Sequence, residues 1–170
     1  NSECWKKNEI CKKIMNSNEY IEKVHRRIKN GNPENIHPEY NTINHSKIDF
    51  IKYAIDNNMF ESNDLICWCD SGYHKSILHD NPFEYPYSNL DSNKFNECKL
   101  NFCLRNKITT NDENIDYTLI NAPEVFTGSF FAGKIQLMNK LYSLYHECLD
   151  DMYNVNIADD DQHVYLRCFL

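Results

Sequence analysis

The sequence predicts an α/β fold in which a mixed sheet is flanked by helices. Apolar residues recur at helical spacing in several long segments, and a short uninterrupted apolar run, Leu65–Cys69, is typical of a strand. The chain has 170 residues, of which 41% are hydrophobic and 25% charged, so it is long enough for one domain with a buried core. We interpret residues 1–170 as a single domain, with a helical part at 1–45 and a motif-bearing α/β part at 46–170.

The first third of the chain is predicted to be helical. Its apolar residues recur at spacings of three, four and seven, which indicates one amphipathic helix; they are Ile10, Ile14, Ile21, Val24 and Ile28. The run Asn30-Gly31-Asn32-Pro33 would end this helix. Residues 33–44, which contain Pro33 and Pro38, are expected to form a loop. The basic group His25-Arg26-Arg27 is interpreted as a solvated helix face.

A second helix and the first strand are predicted next. Asn44 or Ser46 would cap the helix, and Ile48, Ile51, Ala54 and Ile55 form its apolar face. The run Leu65–Cys69 is interpreted as a central strand buried on both faces, because it is short, apolar throughout and followed by turn residues. Residues 74–93 contain two prolines and many Asn, Asp and Ser residues, so a surface loop is expected there.

Strands and helices are predicted to alternate in the last third. Strands are expected at Tyr117–Ile120 and Val125–Phe131. Spacings of three and four predict a long helix whose apolar face carries Met138, Leu141, Tyr145, Cys148 and Met152. A final short helix is expected to begin in Asp159-Asp160-Asp161, since acidic side chains are favoured at the positive end of a helix dipole.

Composition argues against several classes of protein. The formal net charge is −7 and the basic residues are scattered, so nucleic acid is not expected as a partner. No apolar run approaches the roughly 20 residues of a membrane helix, and no signal peptide is visible, so no transmembrane segment is expected and a cytoplasmic location is favoured. The eight cysteines lack the two short-spaced pairs of a structural zinc site, which favours reduced, mostly buried thiols.

Asp70 is the first residue that suggests chemistry. It follows the predicted strand, where open α/β sheets bind ligands, and its carboxylate suits Mg²⁺ or Mn²⁺. Gly72 would let the backbone approach a ligand closely. An ordinary Asp-Ser-Gly turn is the structural alternative. If Asp70 shares a site with the Gly128–Gly133 segment, Asp70 should lie at the end of a central strand. Its carboxylate should then lie in an open cleft, within about 10 Å of the backbone of that segment.

Two further segments adjoin predicted helix starts. Backbone amides at the end of Gly128–Gly133 could meet an anion or a sugar hydroxyl, although a buried strand leading into the helix explains the same residues. The three carboxylates of Asp159-Asp160-Asp161, followed by Gln162, are costly to bring together unless solvent, a cation or a ligand relieves them. One of them could act as a base, and an exposed helix cap is the alternative. His163 is interpreted as structural.

Taken in order along the chain, these segments resemble the HtrL/YibB-like family of glycosyltransferase-like proteins. That family shows Ser-Lys opening an amphipathic helix, then Asn-x-Phe, a strand reading Trp-x-Asp-x-Gly, a Gly-x-Phe-Phe-x-Gly segment and an acidic-Gln helix start. The matching residues here are Ser46-Lys47, Asn58-Met59-Phe60, Trp68-Cys69-Asp70-Ser71-Gly72, Gly128-Ser129-Phe130-Phe131-Ala132-Gly133 and Asp160-Asp161-Gln162.

The resemblance implies a GT-A-like (Rossmann-like) domain that transfers a sugar from a nucleotide-sugar donor to a glycan, protein or lipid acceptor. It implies Mn²⁺ or Mg²⁺ at Asp70 and catalytic roles for Asp160 and Asp161. The donor-binding residues that it implies are Lys47, Asp70, Gly72, Gly128, Gly133 and Gln162.

Two departures from the family pattern affect this interpretation. The strand has one acid where many GT-A enzymes have Asp-x-Asp, and no strand-helix-strand unit for the nucleotide base precedes residue 46. The domain is therefore expected to be incomplete at both ends. A catalytically inactive structural or interaction module derived from a glycosyltransferase is the alternative function. A hydrolase that uses Asp70 and Asp161 as a pair is less favoured, because no motif positions a nucleophile.

Overall fold

A computed structural model describes residues 2–70 and 94–170. The predicted loop at 74–93 and the candidate residue Gly72 therefore lie outside the described residues. The described helices and strands, in chain order, are α1 (Glu3–Lys6), α2 (Asn8–Met15), α3 (Asn18–Lys29), α4 (Pro38–Asp56), β1 (Leu65–Cys69), β2 (Asn101–Leu104), α5 (Ile115–Asn121), β3 (Phe126–Lys134), α6 (Ile135–Asn154) and α7 (Asp161–Phe169). Short 3₁₀ turns lie at Pro33–Asn35 and Thr110–Glu113. The protein thus combines helices with a small sheet, which confirms the α/β class; the sheet of the described residues is antiparallel, so the prediction of a mixed sheet is wrong there.

The N-terminal region consists of three short helices, so the prediction of one continuous amphipathic helix is wrong. Ser2 and Ser17 start α1 and α3, because each hydroxyl accepts a hydrogen bond from the backbone N–H three residues later. Because the chain changes direction between α2 and α3, the predicted apolar residues do not share one face: Ile14 and Val24 are buried, whereas Ile10 and Ile21 are exposed.

Helix α4 begins at Pro38, which corrects the predicted loop at 33–44. Proline fits the first turn of a helix because its missing N–H would have no intrahelical partner there. Asn44 and Ser46, the predicted caps, lie inside the helix, and the Ser46 hydroxyl donates to Thr42 O at 2.8 Å. The longer helix carries Lys47 into the interior of the protein, since residues 45–49 of α4 are all buried.

The described strands form a three-stranded sheet in the order β1-β3-β2, and both strand pairs are antiparallel. Strand β1 lies at an edge of this sheet and β3 at its centre, so the prediction of a central β1 buried on both faces is wrong. Within β1 only Ile66 is buried, and Cys67 is exposed. Cys69 pairs with Phe130, which directs the end of β1 toward the first half of β3.

Two further elements differ from the sequence-based expectation. Tyr117–Ile120 lies in helix α5 and is not a strand; the Asn114 side chain caps this helix by accepting from Tyr117 N–H at 3.0 Å. Strand β3 is longer than predicted and contains both Gly128 and Gly133. Strand β2 was not expected from the sequence, because its four residues are too few to show a period.

Helices α6 and α7 complete the core on one side of the sheet. The predicted apolar face of α6 is confirmed, with Met138, Leu141, Tyr145 and Met152 all buried. Tyr165 of α7 packs between Phe131 of β3 and Tyr145 of α6, with ring centroids 5.2 Å and 5.0 Å away. This packing fixes α7 against the sheet and places its acidic N-terminus near β3.

All eight cysteines lie in the described residues, and no disulfide joins any of them there. Cys4 and Cys11 are buried, whereas Cys67 and Cys98 are exposed. Within the described part of the chain, no helix combines the length and the hydropathy that crossing a bilayer requires.

Candidate functional site

The side chain of Lys47 joins three segments that are far apart in the sequence. Its ammonium donates hydrogen bonds to Asp161 Oδ2 at 2.9 Å, to Asp70 Oδ2 at 3.0 Å and to Gly128 O at 3.0 Å. A lysine has three N–H donors, so each is used once. We call Lys47, Asp70, Gly128 and Asp161 the Lys47 cluster. The predicted approach of Asp70 to the glycine segment is confirmed, because one ammonium contacts both.

Asp70 forms the open side of the Lys47 cluster. Its backbone N–H donates to Ser129 O at 2.9 Å and so extends the pairing of β1 with β3 by one residue. Its Oδ1 accepts from the indole N–H of Trp68 at 2.6 Å, while Oδ2 accepts from Lys47. The Asp70 side chain is nevertheless 33% exposed, against 3% for Asp161. A ligand would therefore reach this cluster from the side of Asp70.

Gly128 is required by the close approach of Asp161 to strand β3. A Cβ atom at position 128 would lie 2.6 Å from both carboxylate oxygens of Asp161, far closer than real contacts allow. Gly133 does not join the cluster: it lies five residues further along β3, roughly 17 Å away at strand spacing. A Cβ there would meet the side chain of Leu100 at 2.8 Å, so its surroundings are apolar packing.

Asp160 and Asp161 are buried at the start of α7, so the alternative that these acids form an exposed helix cap is wrong with respect to exposure. Asp160 is indeed the cap, since its Oδ1 accepts from Gln162 N–H at 3.1 Å. Burial, with Asp159 and Asp161 nearby, raises the pKa of Asp160 to about 7. Burial also raises the pKa of Asp161 to about 6, with Lys47 opposing and Asp70 adding to the rise. Both carboxyls therefore titrate near neutral pH.

Asp159 belongs to a different set of contacts, which we call the Asp159 network. Arg27 donates to both of its oxygens, at 2.9 Å and 3.2 Å, and also to Glu34 at 2.9 Å. His163 Nδ1 lies 3.0 Å from Asp159 Oδ2. Burial alone would raise the pKa of Asp159, but His163 and Arg27 outweigh it and lower the pKa to about 2. The prediction that Arg27 belongs to a solvated face is wrong, because its side chain is 6% exposed.

A polar pocket of about 210 Å³ opens over the Lys47 cluster. Five of the predicted site residues besides Gly128 line it: Lys47, Asp70, Asp160, Asp161 and Gln162. Sequence reasoning did not select four other polar residues of the lining, namely Tyr40, Asn44, Arg105 and Thr127, whereas Ser129 lies within the predicted Gly128–Gly133 segment. Tyr40 and Asn44 were assigned to a loop, and Arg105 follows the unpredicted β2, so no local pattern marked them.

The residues around Asp70 do not fit a divalent cation in this arrangement. Two groups of ligand-type side chains within the described ranges approach one another closely enough to share an ion, and Asp70 belongs to neither. Both of its oxygens are engaged, and the ammonium of Lys47 stands where an ion would bridge Asp70 and Asp161. In one of the two groups, Asp159, Asp160 and His163, Arg27 already holds Asp159. Mn²⁺ or Mg²⁺ at Asp70 stays a prediction for a binding experiment.

Comparison with known proteins identifies the relatives of this chain. The HtrL_YibB family, described as a bacterial protein of unknown function, matches residues 4–170. Protein HtrL of Escherichia coli (strain K12) is 26% identical over 144 residues, which cover 81% of this chain and 47% of that relative. The chain thus spans about half the length of this relative. No solved structure matches the chain.

Proposed function

The chain belongs to the HtrL_YibB family, and we propose that it is a glycosyltransferase-like domain of the GT-A kind. In this proposal the polar pocket binds a nucleotide-sugar donor, and the sugar passes to a glycan, protein or lipid acceptor. The observation that carries the proposal is the contact of one buried ammonium, that of Lys47, with all three motif segments. This contact places the three segments together at the edge of one polar pocket.

The charges that line the pocket suit the two ends of such a donor. Lys47 and Arg105 are its cationic side chains, and they would hold the diphosphate. Asp161 and Gln162 offer acceptor and donor groups for the hydroxyls of the sugar. Lys47 would then exchange one of its carboxylate partners for a phosphate oxygen, so the donor would break one of the two hydrogen bonds by which Lys47 joins Asp70 to Asp161.

Asp160 is the residue best suited to move a proton in this proposal. It lines the pocket, and its pKa is raised to about 7 by burial and by the neighbouring carboxylates. A carboxylate whose pKa is near the working pH can accept the proton of an acceptor hydroxyl as the new bond to the sugar forms and the bond between the sugar and the diphosphate breaks. The nucleoside diphosphate would leave with its charge held by Lys47 and Arg105. Asp161, held by Lys47, would remain the charged neighbour that stabilises the reacting carbon.

A second candidate is the inactive structural or interaction module. Two observations favour it: every N–H of Lys47 already has a partner within the protein, and the pocket of about 210 Å³ is small. Ligand sites usually enclose about 300–1,000 Å³. In this alternative the Lys47 cluster only ties α4, β1, β3 and α7 together.

Thermal unfolding with ligands separates the two candidates. The 170-residue chain is heated with a panel of nucleoside diphosphates and nucleotide sugars, each with Mn²⁺, with Mg²⁺ and with a chelator. A ligand at 100 times its Kd stabilises the native state by about 2.7 kcal/mol, which is a shift of several degrees for a domain of this size. Asp161→Asn should remove the shift, and Asp150→Asn, on the exposed surface of α6, should leave it intact.

The metal dependence of the shift tests the role of Asp70. If a divalent cation takes part, Asp70→Asn removes the metal-dependent part of the shift and barely changes the melting temperature of the free protein, since the side-chain shape is kept. A shift that persists in the chelator indicates that Lys47 neutralises the diphosphate alone. The absence of any shift across the whole panel would favour the structural module.

A further inference from the structure

Three helices bring a thiol, a carboxylate and an imidazole together on the side of α4 that faces away from the polar pocket. They belong to Cys4 of α1, Asp49 of α4 and His146 of α6, and their ligand atoms all lie within 4.8 Å of one another. We propose that Cys4, Asp49 and His146 form a Zn²⁺ site. Asp49 follows Lys47 by two residues on α4, or about 200° around the helix, so this site is separate from the Lys47 cluster.

The side chains are already held near the geometry that an ion requires. Asp49 Oδ1 lies 2.9 Å from His146 Nε2, and Asp49 Oδ2 accepts from Cys4 N–H at 2.9 Å and from the Ser2 hydroxyl at 2.5 Å. Zinc bonds of about 2.0–2.3 Å in a tetrahedral shell put ligand atoms roughly 3–4 Å apart. Small side-chain adjustments would therefore close these three ligands around one ion.

Burial and charge distinguish this group from the other acidic clusters of the protein. The residues are largely buried: Cys4 is 2% and Asp49 8% exposed, and the side chain of His146 is 14% exposed. The ion-pair partner of Asp49 in the described residues is His146, and no Lys or Arg of those residues holds it. A thiolate and a carboxylate together balance the charge of Zn²⁺, so the loaded site would be neutral.

This cluster differs from the surroundings of Asp70, because no Lys or Arg of the described residues stands between its ligand atoms, and the Asp49–His146 contact could open to admit an ion. The His146 Nδ1 atom is buried and has no hydrogen-bond partner among residues 2–70 and 94–170. A zinc ion would displace the thiol proton and use the carboxylate that is already charged.

The ligand set points to zinc and not to magnesium or calcium. Sulfur and imidazole ligands favour Zn²⁺, whereas Mg²⁺ and Ca²⁺ prefer oxygen alone. A cavity of about 450 Å³, lined in part by Ser2, Glu3 and Asp49, borders the site and leaves room for water or another oxygen as the fourth ligand. The ion would pin the four-residue helix α1 to α4 and α6.

Metal binding by the reduced 170-residue chain tests the proposal. The chain is stripped of metal, then titrated with Zn²⁺ in competition with a chromophoric chelator and, separately, with Co²⁺ as a spectroscopic substitute. We expect one tightly bound Zn²⁺ per chain and a thiolate-to-cobalt charge-transfer band. Cys4→Ala and His146→Gln should each weaken zinc binding by more than about 100-fold, beyond the loss typical of residues that only orient a ligand.

The matched control is Cys11→Ala, which removes another buried cysteine, on α2, outside the proposed site. It should keep the zinc affinity and the cobalt band of the unaltered chain. Equal losses in Cys4→Ala and Cys11→Ala would overturn the proposal. So would the absence of the charge-transfer band in the unaltered chain, and that result decides the matter even if a variant fails to fold.

Discussion

Asp159 and Asp161 lie two residues apart at the start of α7 and are both buried, but their hydrogen-bond partners and the directions of their pKa shifts differ. In the Asp159 network, the carboxylate receives two hydrogen bonds from Arg27 and faces His163, so its pKa is lowered to about 2 despite burial. In the Lys47 cluster, burial raises the pKa of Asp161 to about 6. The ammonium of Lys47 opposes this rise, but Asp161 shares that ammonium with Asp70, whose charge adds to the rise.

The difference shows which region is suited to structure and which to chemistry. A carboxylate matched by a bidentate guanidinium and sealed from solvent is locked in one protonation state. A carboxylate that shares its counter-ion with a second acid, beside an open pocket, can change its state or its partner near neutral pH. We therefore interpret the Asp159 network as the support that holds α7, and the Lys47 cluster as the part that meets a ligand.

The largest expected effect comes from removing the guanidinium of the Asp159 network. Arg27→Met leaves a buried carboxylate without its main partner, so the free energy of unfolding in urea should fall by about 3–5 kcal/mol. Arg26→Met, at an exposed position next in the sequence, is the matched control and should change it by less than about 0.5 kcal/mol. Similar small losses in both variants would mean that the Asp159 network does not support the fold.

The pH dependence of stability should separate the two regions next. Asp160 and Asp161 have pKa values raised from 3.8 to about 7 and about 6, so the native state binds more protons than the unfolded chain between these values. The free energy of unfolding should then fall as pH rises from about 4 to about 7, by up to about 7 kcal/mol. Asp159 behaves oppositely: its lowered pKa gives stability that is lost only as pH falls from 3.8 toward about 2.

Asp160→Asn isolates the contribution of one of these carboxyls. Asparagine also caps helices well, so the variant should keep α7 and lose the titration of Asp160. The fall in the free energy of unfolding between pH values of about 4 and about 7 should then be smaller by up to about 4 kcal/mol. Urea denaturation at several pH values measures both slopes. His163, whose pKa is raised by Asp159 and also by Asp160 against the effect of burial, lies 3.7 Å from Asp160, so the variant also makes that rise in pKa smaller and flattens the decline further. Identical slopes would contradict the burial of Asp160 as the cause.

The smallest expected effect compares two glycines of strand β3. Gly128→Ala places a methyl group 2.6 Å from the Asp161 carboxylate, which Lys47 holds in place, so we expect a loss of about 1–3 kcal/mol. Gly133→Ala meets the end of the flexible Leu100 side chain and should lose less. Equal thermal destabilisation of the two variants would show that the Lys47 cluster can yield to a methyl group.

The structure explains why some predictions from sequence succeeded and others failed. The predictions of the apolar face of α6 and of the acidic start of α7 are confirmed. Both depend on signals within one helix, namely a period of 3.6 residues and a capping aspartate. The strand assigned to Tyr117–Ile120 failed because the cap Asn114 starts a helix there. The predicted loop at 33–44 is wrong from residue 38 onward, because a proline restricts the residue before it but suits the first turn of a helix, as Pro38 does in α4.

The sequence by itself determined which residue types stand at the candidate site: Lys47, Asp70, Gly128, Asp160, Asp161 and Gln162 were all selected from short motifs. Only the tertiary structure decided that they meet, that Gly133 stays apart, and that Arg27 is buried against Asp159. The physical reason is the separation along the sequence between residues that contact each other. A local pattern records which face of an element is apolar, whereas the partner of Lys47 on α7 lies 114 residues away and that of Arg27 lies 132 residues away. Contacts at such separations depend on how whole helices pack against the sheet, which no short segment encodes.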